Sequence, residues 1–153
     1  METFTPKKTY EITGESKQRL QYWNLKGLIT PADAGSGIGV ARKYSYSNLI
    51  EILLIQHLFR RLRNIDIVKE VIEKITEKNP YFFKTSLEDP NFGENNLVLW
   101  IDNNDTITAH LVTGQRADEL HSEGRKHGYD VFSKRLDFLR TELSRRIGAL
   151  KKD

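Results

Sequence analysis

The sequence predicts a mainly α-helical protein carrying one small β-hairpin, and three observations lead there. Apolar residues recur at helical spacing over residues 49–62 and again over 68–75. Residues 97–101 and 106–112 are instead short apolar runs flanking Asp102-Asn103-Asn104-Asp105, the pattern of two strands joined by a turn. Ser16, Ser45 and Asp66 each stand just before a helical stretch, where a side-chain oxygen can accept an orphan first-turn amide.

Bulk properties narrow the setting. A chain of 153 residues with 38% hydrophobic and 29% charged residues suits a small head plus an accessory piece. No stretch approaches the roughly 20 apolar residues of a membrane span, and the opening METFTPKKTY lacks an apolar signal core. Cysteine is absent, which removes disulfides and thiolate metal sites and points to a reducing, cytoplasmic location. Charge is uneven: residues 1–63 carry ten Lys and Arg against five acids, the remainder fourteen against sixteen. A basic head is what a phosphate-facing surface needs.

Taken in order, Thr5-Pro6 starts a first helix that ends at Gly14, because proline suits the first helical position. Ser16 caps a second helix to Lys26, stopped by Gly27 with Pro31 beyond. Its expected inward residues are Leu20, Trp23 and Leu25; Lys17, Gln18, Gln21 and Tyr22 fall outside. The glycine-rich run 34–39 is no nucleotide loop. No strand precedes it, its spacing is not GxGxxG, and no Lys-Ser/Thr follows. It reads as a flexible hairpin tip, with Arg42 and Lys43 following it. Tyr44 suits either nucleic-acid contact or core packing. Ser45 then caps a helix over 46–63, apolar on most of its circumference and ending in Arg60, Arg61 and Arg63. Asn64 tolerates a left-handed turn, Asp66 caps a helix to Lys78, and Asn79-Pro80 stops it.

Several of these pieces together resemble the MerR-type winged helix-turn-helix. They are the turn Gly14-Glu15-Ser16, the run Leu20-Gln21-Tyr22-Trp23, then Lys26-Gly27-Leu28-Ile29 with Pro31, and Arg42-Lys43-Tyr44-Ser45. The family pattern is a Gly-x-Ser turn, Leu-Arg-Tyr-Tyr, Gly-Leu-Leu-x-Pro and Tyr-Arg-x-Tyr-Ser. Gln21 stands where the family usually has Arg, and the loop from Pro31 to Arg42 is longer than usual. The resemblance covers residues 5–78. It implies a winged helix-turn-helix DNA-binding domain whose fourth helix supports the wing, and a regulator that distorts promoter DNA to alter RNA polymerase engagement.

Beyond it, residues 79–96 read as a linker, with Pro80, Pro90 and Gly93 among Phe82, Phe83 and Phe92. Residues 97–150 form an accessory region: the hairpin, a polar stretch broken by Gly124 and Gly128, and a C-terminal helix over 129–150. A lone hairpin is marginal in water and must lean on helices or a partner. His121 and His127 are six apart, off any common helical face, so a metal site is not expected. Phe132, Leu136, Leu139, Leu143 and Leu150 follow the alternation of a coiled-coil seam, which predicts a dimerisation helix.

The function expected is a sequence-specific transcriptional regulator that binds double-stranded DNA as a homodimer on a pseudo-palindromic promoter site. Lys17, Gln18 and Gln21 would reach base edges or phosphates, and Arg19, Tyr22, Lys26, Arg42, Lys43 and Tyr44 would hold register. Two alternatives use the same chain: an architectural DNA anchor with little sequence preference, and a small-molecule sensor with Trp100 and His110 in a pocket. No catalytic constellation, cofactor motif or metal signature stands out, so an enzyme is not expected.

Overall fold

The computed structural model describes residues 2–33, 35, 41–78 and 96–151. Two units are distinguished, Met1–Arg63 with Leu139–Asp153, and Asn64–Phe138. Among the described residues the protein is mainly helical, with six helices and two small antiparallel sheets.

Local chemistry sets the helices of the first unit. Thr5 Oγ1 accepts from Lys8 N (3.2 Å) at the start of α1 (Pro6–Thr13), and Gly14, at φ 73°, ends it in the left-handed region. Ser16 Oγ accepts from Arg19 N (3.2 Å) to open α2 (Lys17–Leu25), and Gly27 at φ 75° turns the chain afterwards. Strand β1 (Thr3–Phe4) pairs antiparallel with β2 (Tyr44–Ser45), Thr3 opposite Ser45. Ser45 and Asn48 then form a reciprocal capping box for α3 (Tyr46–Leu62). Asn48 does more than cap. Its Oδ1 also accepts from Ala32 N (3.0 Å) and its Nδ2 donates to Thr30 O (2.9 Å), which fastens the stretch after α2 to α3. Leu49, Ile50, Ile52, Leu53, Leu54, Ile55 and Leu58 are all buried, as a helix apolar on most sides requires.

Two details differ from expectation here. Arg63, not Asn64, takes the left-handed conformation, at φ 55°. Asn64 is instead the cap of α4 (Ile65–Lys78), because its Oδ1 accepts from Asp66 N (3.0 Å) and Ile67 N (3.3 Å).

In the second unit α4 buries Val68, Val71, Ile72 and Ile75, the stripe read from the sequence. Strands β3 (Asn96–Ile101) and β4 (Ile107–Val112) form the expected hairpin, Leu99 opposite Ala109. Asp102 Oδ1 accepts from Asn104 N (2.8 Å) and Thr106 N (3.0 Å) in its turn, so that aspartate serves backbone chemistry. The ammonium groups of Lys74 and Lys78 donate to the carbonyls of Ile107 and Ala109, laying α4 along the β4 strand. The polar stretch is a helix, α5 (Gly114–Lys126), whose Ala117 and Leu120 pack on Val98 of β3.

The continuous helix expected over 129–150 is not formed. Residues 130–135 are a third strand, β5 (Asp130–Arg135), antiparallel to β3 with Phe132 opposite Leu99; the sheet order is β4-β3-β5. Gly128, at φ 76°, turns the chain out of α5, and pairing with β3 outweighs a helical register for six residues. Helix α6 begins only at Asp137 and runs to Lys151. Phe132 is therefore on a strand, Leu136 precedes the helix, and the five-residue seam cannot exist as one helical stripe. Leu136, Leu139 and Leu143 are fully buried within a single chain, so their side chains serve its own core. Except for Asn96, the linker over 79–96 lies outside the described residues, as does the Asn79-Pro80 stop. No helix among the described residues is long and apolar enough to cross a membrane.

Candidate nucleic-acid interface

Helix α2 presents one face to the interior and one to solvent. Leu20 and Trp23 are buried, and Asn24 Nδ2 donates to Tyr44 Oη (2.9 Å), which ties the helix to β2. At 3.6 residues per turn, Lys17, Gln21, Leu25, Gln18 and Tyr22 then share an outward arc of about 140°. All five are exposed. Lys17, Gln18 and Gln21 have no hydrogen bond or ion pair among the described residues, so their polar groups are available to a ligand.

Leu25 corrects the sequence reading. Expected inside, it is 84% exposed, in the middle of that arc. Helical phase alone reveals this, since Leu25 lies about two turns beyond Lys17 and about 140° round the helix from Leu20. It is an exposed apolar side chain on the same face as Lys17 and Gln21.

The cations divide into free and committed. Arg19 folds back: its guanidinium lies 4.8 Å from the Phe59 ring centroid and 5.9 Å from that of Trp23, and its Nη1 is 3.7 Å from Glu15 Oε1. Lys26 Nζ sits 5.7 Å from the Tyr22 ring. Lys43 is exposed, Arg42 half-buried. Asp33 and Lys43 exchange backbone hydrogen bonds (2.8 and 3.1 Å) as an antiparallel bridge, closing the loop at its base. Apart from Gly35, the glycine-rich tip over 34–39 lies outside the described residues. Tyr44 is 2% exposed. With its hydroxyl on Asn24 and its ring in the core, it packs and does not face a ligand, which removes it from the expected contact residues. Burial, followed by the neighbouring Tyr44, raises the pKa of Tyr10, while Arg42 lowers it.

Two helices joined by a short glycine turn, the second showing one face to solvent and tied to β2 by its other side, match a known pattern. A family model described as MerR HTH family regulatory protein matches residues 4–75. This chain carries a MerR-type helix-turn-helix. The MerR-type region is that of a DNA-binding transcriptional regulator, a regulatory family and not an enzymatic one. Among curated proteins nothing matches the chain.

Two cavities are lined by described residues of the second unit. One of about 550 Å³ is lined by Asn96, Gly114, Ala117, Asp118, His121, Ser133, Lys134 and Arg135, and His121 Nδ1 lies 2.8 Å from Ser133 Oγ. The other, about 210 Å³, lies at Trp100, Asp102, Thr106, Thr108, His127 and Tyr129. Trp100 is there, but His110 is not among its lining residues; it meets Trp100 edge-on at 4.5 Å between ring centroids. The two histidines named in the sequence serve different places, His121 beside Ser133 and His127 stacked on Tyr129 at 5.2 Å. No cluster of three or more metal-ligating side chains occurs among the described residues.

Proposed function

We propose that this protein is a sequence-specific transcriptional regulator that inserts α2 into the DNA major groove. The observation that carries the reading is the outward arc of α2, where Lys17, Gln18 and Gln21 are free of intramolecular partners. A glutamine amide can pair with both polar positions of an adenine edge, worth about 1–3 kcal/mol in discrimination. Leu25 supplies an apolar surface suited to a thymine methyl group. Lys17 and Lys26 meet phosphates from the helix, Arg42 and Lys43 from the base of the following loop, which acts as the wing. Arg19 and Tyr22 orient the helix and its lysine more than they reach outward.

The regulator acts as a homodimer on a pseudo-palindromic promoter site, its two α2 helices about 34–36 Å apart along one face of the duplex. With Leu139 and Leu143 spent inside the chain, half-buried Ile147 and Leu150 are among the apolar positions of α6 that a partner would cover. Distortion of the promoter and altered RNA polymerase engagement complete the proposal.

The test is a titration of a labelled mixed-sequence duplex across salt concentration. Phosphate contact gives a steep linear fall of log affinity with log salt, and Arg42→Ala lowers that slope by about one. An absence of salt-sensitive binding would reject the reading. A second reading, that the Asn64–Phe138 unit senses a small molecule, is favoured by its 550 Å³ cavity. A metabolite that raises the melting temperature of wild type but not of a His121→Leu variant supports it.

A further inference from the structure

The turn between α1 and α2 sets how α2 is presented, and it is held from the far end of the sequence. Arg146 Nη1 donates to Ile12 O (3.2 Å) and Thr13 O (3.0 Å), the last carbonyls of α1. A helix C-terminus leaves such carbonyls without intrahelical partners and favours a cation beside them. Gln56 Nε2 of α3 donates to the same Thr13 O (2.9 Å) and to Glu15 Oε2 (3.0 Å). The other oxygen of Glu15 accepts from Ser16 N (3.2 Å), the cap of α2. Glu142 in turn accepts from Arg146 Nε (3.0 Å), which fixes the guanidinium plane.

We infer that Arg146 is a positioning residue for DNA binding: with Gln56 it clamps the α1–α2 turn and so fixes the angle at which α2 meets a duplex. The inference rests on the DNA-binding reading above. It makes the C-terminal helix part of the DNA-binding machinery, although the family match ends at residue 75. The clamp needs a planar, multiply donating cation, because one nitrogen serves two carbonyls while another is held by Glu142. Its place favours coupling to presentation over plain stability, since the carbonyls it binds lie within five residues of the first exposed α2 residue, Lys17.

The experiment compares wild type, Arg146→Ala, Arg146→Lys and Glu142→Gln in full-length protein. Affinity for a labelled mixed-sequence duplex is measured well below each melting temperature, with amide exchange at Glu15, Ser16 and Lys17 followed without DNA. Arg146→Ala is expected to bind about tenfold more weakly, the scale of a lost charged hydrogen bond, and to exchange faster at those three amides. Arg146→Lys recovers part of both, and Glu142→Gln moves both less. A lowered melting temperature with unchanged affinity and turn exchange would overturn the inference, because that is a structural role alone. Wild type that binds no duplex overturns the DNA reading and this role with it. Wild type that binds, beside an Arg146→Ala variant that binds equally, overturns the clamp alone.

Discussion

Gly124 lies so close to Trp100 that a Cβ there would stand 2.5 Å from the indole Nε1 and 2.7 Å from Cδ1. The same atom would meet Val131 Cγ2 at 2.7 Å. The indole cannot easily yield, because Nε1 donates to Leu120 O (2.9 Å) and His110 abuts the ring. Gly124 is therefore a close-approach residue within α5, not a break in it.

Gly124→Ala should destabilise the protein by about 1–3 kcal/mol through overpacking. Helix propensity alone would favour alanine by about 1 kcal/mol, so the sign separates the two effects. Urea unfolding checks it, and a stabilised variant would show that α5 can move off the sheet at little cost.

Leu139→Ala should cost about 2–5 kcal/mol, as a large-to-small change at a fully buried site. The loss should not depend on protein concentration. A melting temperature that rises with concentration in wild type but not in the variant would return Leu139 to an intermolecular seam.

What was legible in the sequence was local. Ser16, Ser45 and Gly14 could be read because caps and left-handed stops depend on neighbours within four residues, and the α4 stripe because its period repeats. Leu25 was misplaced because its apolar character was weighed above its helical phase. Strand β5 was hidden because its support is pairing with β3 some thirty residues away, while its Phe132 happened to fit a heptad count. Helix α5 shows few apolar residues because it covers the sheet with Ala117, Leu120 and the closely packed Gly124. The role of Arg146 leaves no local signal, because its partners stand more than 130 positions earlier. The outward placing of Lys17, Gln18 and Gln21 needed only helix phase, whereas the folding back of Arg19 onto Phe59 did not show in any spacing. Tyr44 needed the contact with Asn24, which no spacing reveals.

His110 carries a pH dependence. Burial first, then the nearby Lys78 and Arg116, lower its pKa below 6.5, against a smaller opposing effect of Glu123. Its Nε2 is buried with no hydrogen-bond partner among the described residues. The native state thus resists protonation where the unfolded chain accepts it, so this contribution is full above about pH 6.5 and falls away below it. Wild type should lose urea resistance from about pH 7.5 to about pH 5.5 more steeply than His110→Gln. Parallel profiles would contradict the assignment.

Glu142 behaves in the opposite range. Hydrogen bonds from Arg145, then Arg146, hold its carboxyl near 2 instead of 4.5. A lowered carboxylate pKa stabilises the native state above the unfolded value and loses that effect as pH falls toward 2. Acid titration of the melting temperature should be flatter for Glu142→Gln than for wild type between these two values. Equal slopes would mean that the carboxylate is not held by those arginines in solution.

The central claim is that the outward arc of α2 reads DNA sequence, and selection from a random duplex library near physiological salt tests it most directly. The account predicts enrichment of a motif with two-fold symmetry by wild type, and a relaxed motif at one position per half-site with Gln21→Ala, while total affinity changes less. Salt-sensitive binding that enriches no sequence, or a motif unchanged by Gln21→Ala, would contradict base reading by this helix.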